Sequence, residues 1–190
     1  MGLSDPIVLP EQCKFLGAVL DVANVQDINS VVHLGQHKPE GKKVDAYIQG
    51  RYPNAKQEFW DIKNDNWDMN KEWGVKDKDL VASFRVAHYV KDKDHFLEQL
   101  KKCIDNNRIT VFDFQLFQGN LEVYNDNNQR TPSINFDFRF IHDTKEEYKE
   151  SNINGTHVTW KDFCDVIPHP NVIRVHTTRS IFYHYLAWIK

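Results

Sequence analysis

The chain has 190 residues, 41% of them hydrophobic and 27% charged, with a formal net charge of -3. That length supports one good core and a single domain over 1–190, and the acidic balance argues against non-specific nucleic-acid binding, which needs a basic surface. No apolar run approaches the roughly 20 residues of a membrane span and no charged-then-apolar leader opens the chain, so a soluble, intracellular, cytoplasmic protein without membrane insertion is expected.

Residues 1–14, with Pro6 and Pro10, read as an extended lead-in. Phe15–Val25 suits a strand or a short helix. Ser30–Leu34 reads as a short strand, and Lys38–Lys43, holding Pro39 and Gly41, as a turn. Val44, Ala46 and Ile48 alternate with Asp45, Tyr47 and Gln49, which predicts a strand. Pro53-Asn54 breaks it, and Gln57–Ile62 is expected to pair back as a hairpin. Asp61–Asp79 is polar and reads as a long loop, a length that is functional or bound to something in compact domains. Leu80–Val90 returns to strand character. Asp92–Asp105 is the clearest helix, because Phe96, Leu97, Leu100, Cys103 and Ile104 share one face.

Thr110–Phe117 and Ile134–Phe140 alternate apolar and polar residues, the period of a strand with one face buried. Gly119-Asn120 is a hairpin signal leading to Leu121–Tyr124. Asn125–Thr131 reads as a turn, and Asp143–Asn154 as a short helix fading into a loop. Thr159-Trp160-Lys161-Asp162 resembles a capping box for a helix near 160–166, ended by Pro168 and Pro170. Asn171–His176 reads as a strand and Arg179–Lys190 as a final helix. The expected fold is therefore α+β: a mainly antiparallel sheet of hairpins, the 92–105 helix packed on it, and a short C-terminal helix.

Several residue groups could carry chemistry. His157-Val158-Thr159 and His176-Thr177-Thr178 are similar triplets. One imidazole could serve as general base and the other as general acid, with the threonine hydroxyls on phosphate oxygens. Over these residues the chain resembles the two-histidine phosphoesterases, which implies metal-independent phosphoester chemistry at His157, Thr159, His176 and Thr178. The bland alternative makes Thr159 and Thr178 helix N-caps. Arg179 and His184 have the R-x4-H spacing of HEPN-type ribonucleases, which they resemble at those two positions.

His33 and His37 are four apart, and His169, His176 and His184 gather late in the chain, but no carboxylate completes a pattern such as H-E-x-x-H. No metal site is expected. Cys13, Cys103 and Cys164 are far apart and form no C-x-x-C, so reduced thiols are expected. Asp113, Gln115, Asn135, Asp137 and Arg139, with Arg85 beside them, form the wet face of a sheet or, if it curls, the lining of a pocket. Trp60, Trp67 and Trp73 sit in or beside the polar loop, as anchors for a partner protein or a sugar ring, or folded back over the core.

No G-x-G-x-x-G, P-loop or G-x-S-x-G occurs, which argues against common nucleotide chemistry and a serine-hydrolase elbow, and no cofactor is expected. The leading functional expectation is a non-catalytic binding or assembly component that docks on another protein or a second copy. The phosphoesterase or nuclease, and a small-ligand or carbohydrate binder using the tryptophans, are the alternatives.

Overall fold

The computed structural model describes residues 9–39, 41, 44–64, 66–84, 86–87, 90, 92–115, 122–124, 130–132, 138–139, 157–158, 160–178 and 181–190. The elements, in chain order, begin with α1 (Leu9–Val22), β1 (Ser30–Leu34), α2 (Val44–Arg51) and β2 (Lys56–Trp60). After a 3₁₀ turn at Ile62–Asn64 come β3 (Leu80–Ser83), α3 (Lys93–Asn106) and β4 (Ile109–Gln115). Four short strands follow: β5 (Glu122–Tyr124), β6 (Arg130–Pro132), β7 (Phe138–Arg139) and β8 (His157–Val158). The chain then forms α4 (Trp160–Val166), β9 (Val172–Thr178) and β10 (Ile181–Ile189).

One six-stranded sheet organises the molecule, in the order β2-β1-β3-β4-β10-β9. β2, β1, β3 and β4 run parallel to one another, and β10 runs antiparallel to both its neighbours, β4 and β9. Apolar residues cover both faces. On one, Phe15, Leu16, Val19 and Leu20 of α1 and Val44 and Ile48 of α2 pack on Val31, Leu80, Ile109, Val111, Tyr185 and Ala187. On the other, α3 and Phe163 of α4 pack on Val32, Leu34, Val81, Phe112, Phe114, Leu186 and Trp188. Helices on both faces and a parallel centre make this a doubly wound α/β arrangement.

The expected mainly antiparallel hairpin sheet is thus corrected to a mixed, mostly parallel one. Four local differences produce it. Residues 9–22 form a helix rather than an extended lead-in, since Pro10 falls in its first turn, where a missing N–H is harmless. Val44 and Ile48 are buried one helical turn apart, so 44–51 is a helix although its sequence alternates. Gln57–Ile62 does not pair back as a hairpin. β2 lies parallel to β1, with Val32 opposite Glu58, because α2 carries the chain across.

The fourth difference is Arg179–Lys190, read as a helix from Ile181, Phe182, Tyr185, Leu186 and Ile189. It is the strand β10, with Tyr185, Leu186, Ala187 and Trp188 all buried. A strand covered on both faces has a continuous apolar run, which does not show the alternation of a half-exposed strand. β5 pairs with β6, and β7 with β8. The Gly119-Asn120 link and the 143–154 segment lie outside the described residues.

Asp92 caps α3, its side chain accepting from the backbone N–H groups of Asp94 and His95. Ser30–Leu34 is a strand, and 160–166 is a helix. The 61–79 segment has only a 3₁₀ turn, but Trp67, Met69, Trp73 and Val75 are part of the α3-side core. Among the described residues no helix is long and apolar enough to cross a membrane.

His184 lies on β10 with no exposed surface, and burial pushes its imidazole pKa down to about 4. Its neutral form is favoured by folding, so the unfolded chain takes up the proton first as the pH falls. Stability is fully present above about pH 6.5 and is lost between there and about pH 4, by roughly 3 kcal/mol from this group. Urea unfolding at both ends of that window should show a loss that is reduced by this amount in His184→Leu. An unchanged pH slope in the variant would remove His184 as the source.

Candidate functional site

The strand order fixes where a crevice can form. From β1 the chain moves through α2 on one face to β2 at the sheet edge, then back through 61–79 on the opposite face to β3 on the other side of β1. The order reverses between β1 and β3. At such a switch point the connections leaving neighbouring strands diverge to opposite faces, and ligands bind beyond the carboxyl ends of the strands. Here those ends supply Gly35, Gln36 and His37 after β1, Asp61 and Ile62 after β2, and Phe84 and Val86 after β3.

Gly35 is required there twice over. Its φ is +78°, and a Cβ on it would lie 2.2 Å from Val86 Cγ2. Its N–H donates to the Trp60 carbonyl at 2.7 Å, locking the turn after β1 to the end of β2. The two loops are also tied by asparagines. Asn64 Nδ2 donates to the carbonyls of His37 at 2.7 Å and Phe59 at 3.3 Å, and Asn66 Nδ2 donates to that of Phe59 at 3.1 Å.

Asp61 sits at the mouth, half-buried. Its Oδ1 accepts from Lys63 N–H at 2.9 Å, and its own N–H donates to Asn66 Oδ1 at 2.9 Å. Its Oδ2 is left without a partner among the described residues. Ile62, the next residue, is 62% exposed, a large apolar side chain presented beside that carboxylate.

Below the turn, His33 is buried in β1. It stacks flat on Phe59 at 4.8 Å between ring centroids, and its Nε2 lies 2.7 Å from Gln57 Oε1. Burial holds its pKa below the ordinary histidine value, while the Gln57 bond and the nearby Asp45 charge act in the opposite sense. Gln57 Nε2 donates to the Asp45 carbonyl and to Gln49 Oε1, both at 3.1 Å. Asp45, buried in the first turn of α2, accepts from Gly41 N–H at 3.0 Å through Oδ2.

The residues expected to form sites mostly lie elsewhere. Trp67 and Trp73 are 7% and 4% exposed, so they are core and present no platform. Trp60 is half-buried against that core, with Nε1 donating to Glu58. Asp113 is 2% exposed and paired in register with Tyr185 under the α1 face, so it is not on a wet surface. Gln115 ends β4, and Arg139 of β7 pairs in register with His157 of β8. His176 and Thr178 belong to β9 in the main sheet, whereas His157 belongs to the separate β7–β8 pair. Thr178 is therefore in a strand, not at a helix start. Thr159, Asp137, Asn135, Arg85 and Arg179 lie outside the described residues.

His184 is in a strand, so the helical Arg–His pairing does not exist. Among the described residues no group of three or more His, Cys, Asp and Glu could hold a metal ion. The residues of the crevice, Gly35, Asp61 and Val86, were not singled out by sequence. Their signal was a glycine closing an apolar strand and an acidic residue closing the next strand.

No family model matches the chain, and no curated protein is similar to it in sequence. Solved structures are similar in fold. The N-methyltransferase NodS from Bradyrhizobium japonicum in complex with S-adenosyl-L-homocysteine aligns with a TM-score of 0.51 and 10% identity, over 99% of this chain and 90% of that one. The same enzyme without that ligand in its description gives 0.49 and 8%, over 98% of each chain. Magnesium protoporphyrin IX methyltransferase from Synechocystis with bound S-adenosyl-L-homocysteine gives 0.47 and 11%, over 95% and 82%.

The α/β fold with a mostly parallel sheet is therefore that of such methyltransferases. This overturns the expectation of a non-catalytic assembly component and its phosphoesterase and sugar-binding alternatives. Trp67 and Trp73 are core rather than exposed anchors, and His157 and His176 belong to different sheets.

Proposed function

We propose that the chain binds S-adenosylmethionine in the crevice at the carboxyl ends of β1, β2 and β3 and transfers its methyl group. The observation that carries this reading is the placement of Gly35 and Asp61 on either side of one mouth at the switch point. A carboxylate closing the second strand is the group that accepts hydrogen bonds from ribose hydroxyls in doubly wound nucleoside sites. Asp61 has a free Oδ2 for one, and Ile62 offers an apolar surface for the base.

The chain departs from the glycine triplet of dinucleotide sites, since His37 stands where the second glycine would be. That glycine lets the backbone approach a pyrophosphate. An S-adenosyl ligand has no pyrophosphate, so the departure weighs against a dinucleotide and fits this ligand. When bound, the ligand supplies an electrophilic methyl group on a sulfonium. The protein's own part is to fix the nucleoside: Gly35 sets the turn, Asp61 takes the hydroxyls, and Asn64 holds the His37 carbonyl at its place beside the mouth.

Isothermal titration with S-adenosyl-L-homocysteine tests the reading. The full chain should bind it, and its melting temperature should rise with ligand, because binding at about a hundred times Kd adds about 2.7 kcal/mol to stability. Asp61→Ala should weaken binding about 10- to 100-fold, the worth of a hydrogen bond to a charged group. Neither heat nor a thermal shift in the wild-type chain would refute the assignment.

A further inference from the structure

We infer that His33 and Gln57 are positioning residues, a relay from the floor of the crevice that sets the backbone leaving β1 by holding the amino end of α2 against β1. The inference rests on the nucleoside-binding reading and adds to it residues that do not touch the ligand. Its basis is a chain of hydrogen bonds whose directions are fixed one by one. The Pro53 carbonyl can only accept, so Gln49 presents Nε2 to it, at 2.6 Å, and turns Oε1 toward Gln57. Gln57 therefore points Nε2 at Gln49 and at the Asp45 carbonyl, and its Oε1 at His33. His33 must then carry its proton on Nε2.

The relay joins three parts of the fold: β1 two residues before Gly35, the edge strand β2, and the first turn of α2. Asp45, at that first turn, holds the Gly41 N–H through its carboxylate. Gly35 and Gly41 are thereby each fastened, the first to the Trp60 carbonyl and the second to Asp45. Flat stacking on Phe59 keeps the His33 ring in the plane the Gln57 bond needs. Both His33 and Gln57 lie under α2, so they reach the crevice only through the backbone they hold.

Gln57→Leu removes both functions of the amide and keeps most of its bulk. The Gly41 amide should then exchange with solvent at least about tenfold faster, and affinity for S-adenosyl-L-homocysteine should fall about tenfold, the effect of roughly 1.4 kcal/mol. Lys101→Ala, at an exposed position on α3 across the sheet, should alter neither. Unchanged Gly41 exchange in Gln57→Leu would overturn the relay, and this readout needs no ligand, so it stands even if the wild-type chain binds none.

Should Gln57→Leu fail to fold, nitrogen-15 spectra of wild-type histidines decide. The relay requires the Nε2–H tautomer at His33, and a ring signal that moves on ligand addition while that of His184, on the opposite face, does not. The Nδ1–H tautomer, or a His33 signal indifferent to ligand that does bind, would overturn it.

Discussion

Trp73→Ala is expected to unfold with about 4 kcal/mol less stability than the wild-type chain, the usual loss when a buried tryptophan is truncated. Trp73 lies in a segment without regular structure, yet it is the centre of the α3-side core. It stacks on Phe112 at 5.7 Å between ring centroids and meets Phe96 and Trp67 edge-on at 5.4 and 5.5 Å. Its Nε1 donates to the Met69 carbonyl at 3.1 Å, and its backbone N–H donates to Gln99 on α3 at 3.0 Å. Truncation therefore opens a cavity among three aromatic rings and removes the donor to the Met69 carbonyl. A domain of this size loses roughly 2–4 °C of melting temperature per kcal/mol, so a drop of about 10 °C or more should be seen. Trp60→Ala, at a half-buried position, should lose less than half as much. A Trp73→Ala loss under about 1 kcal/mol by denaturant titration would mean that the 61–79 segment is not part of the core.

Gly35→Ala should be nearly as damaging, and should abolish ligand binding as well. A left-handed backbone costs a residue with a Cβ about 1–2 kcal/mol, and overpacking a filled site adds about 1–3 kcal/mol. Both apply here, because the added methyl would meet Val86 Cγ2 at 2.2 Å and Cγ1 at 2.8 Å with φ held at +78°. The two contributions separate in a double-mutant cycle. Val86→Ala removes the obstructing methyls, so the double variant should recover the overpacking part and keep the backbone part. Strict additivity of the two losses would show that Val86 is not what Gly35 makes room for.

Sequence revealed the elements whose cause is local. The helix at 93–106 could be read from its one-sided apolar pattern and the Asp92 cap, and Ser30–Leu34 from its β-branched run. What escaped was decided by partners distant in sequence. Tyr185–Trp188 mimics a helical pattern only because both faces of β10 are covered. Whether β2 runs with or against β1 is not written in Lys56–Trp60 at all; it depends on 44–51 becoming a helix that returns the chain. The crevice was hidden for the same reason: Gly35, Asp61 and Val86 come from three separate strand ends, and a single glycine carries too little pattern to stand out. The alternation in Thr110–Phe117 marks a strand, β4 over Ile109–Gln115, but Asp113, expected on a wet face or a pocket wall, is 2% exposed.

The reversed direction of β10 has a practical corollary. Ile189 pairs with Ile109 at the start of β4, and Lys190 N–H bonds the Arg108 carbonyl, so the chain leaves the sheet at the amino ends of its parallel strands. Anything joined after Lys190, whether a purification handle, a surface tether or a further polypeptide, emerges on the pole of the molecule opposite the Gly35–Asp61 mouth. Immobilisation through that end leaves the mouth facing solution, and a following module would have to reach around the full height of the sheet to cover it.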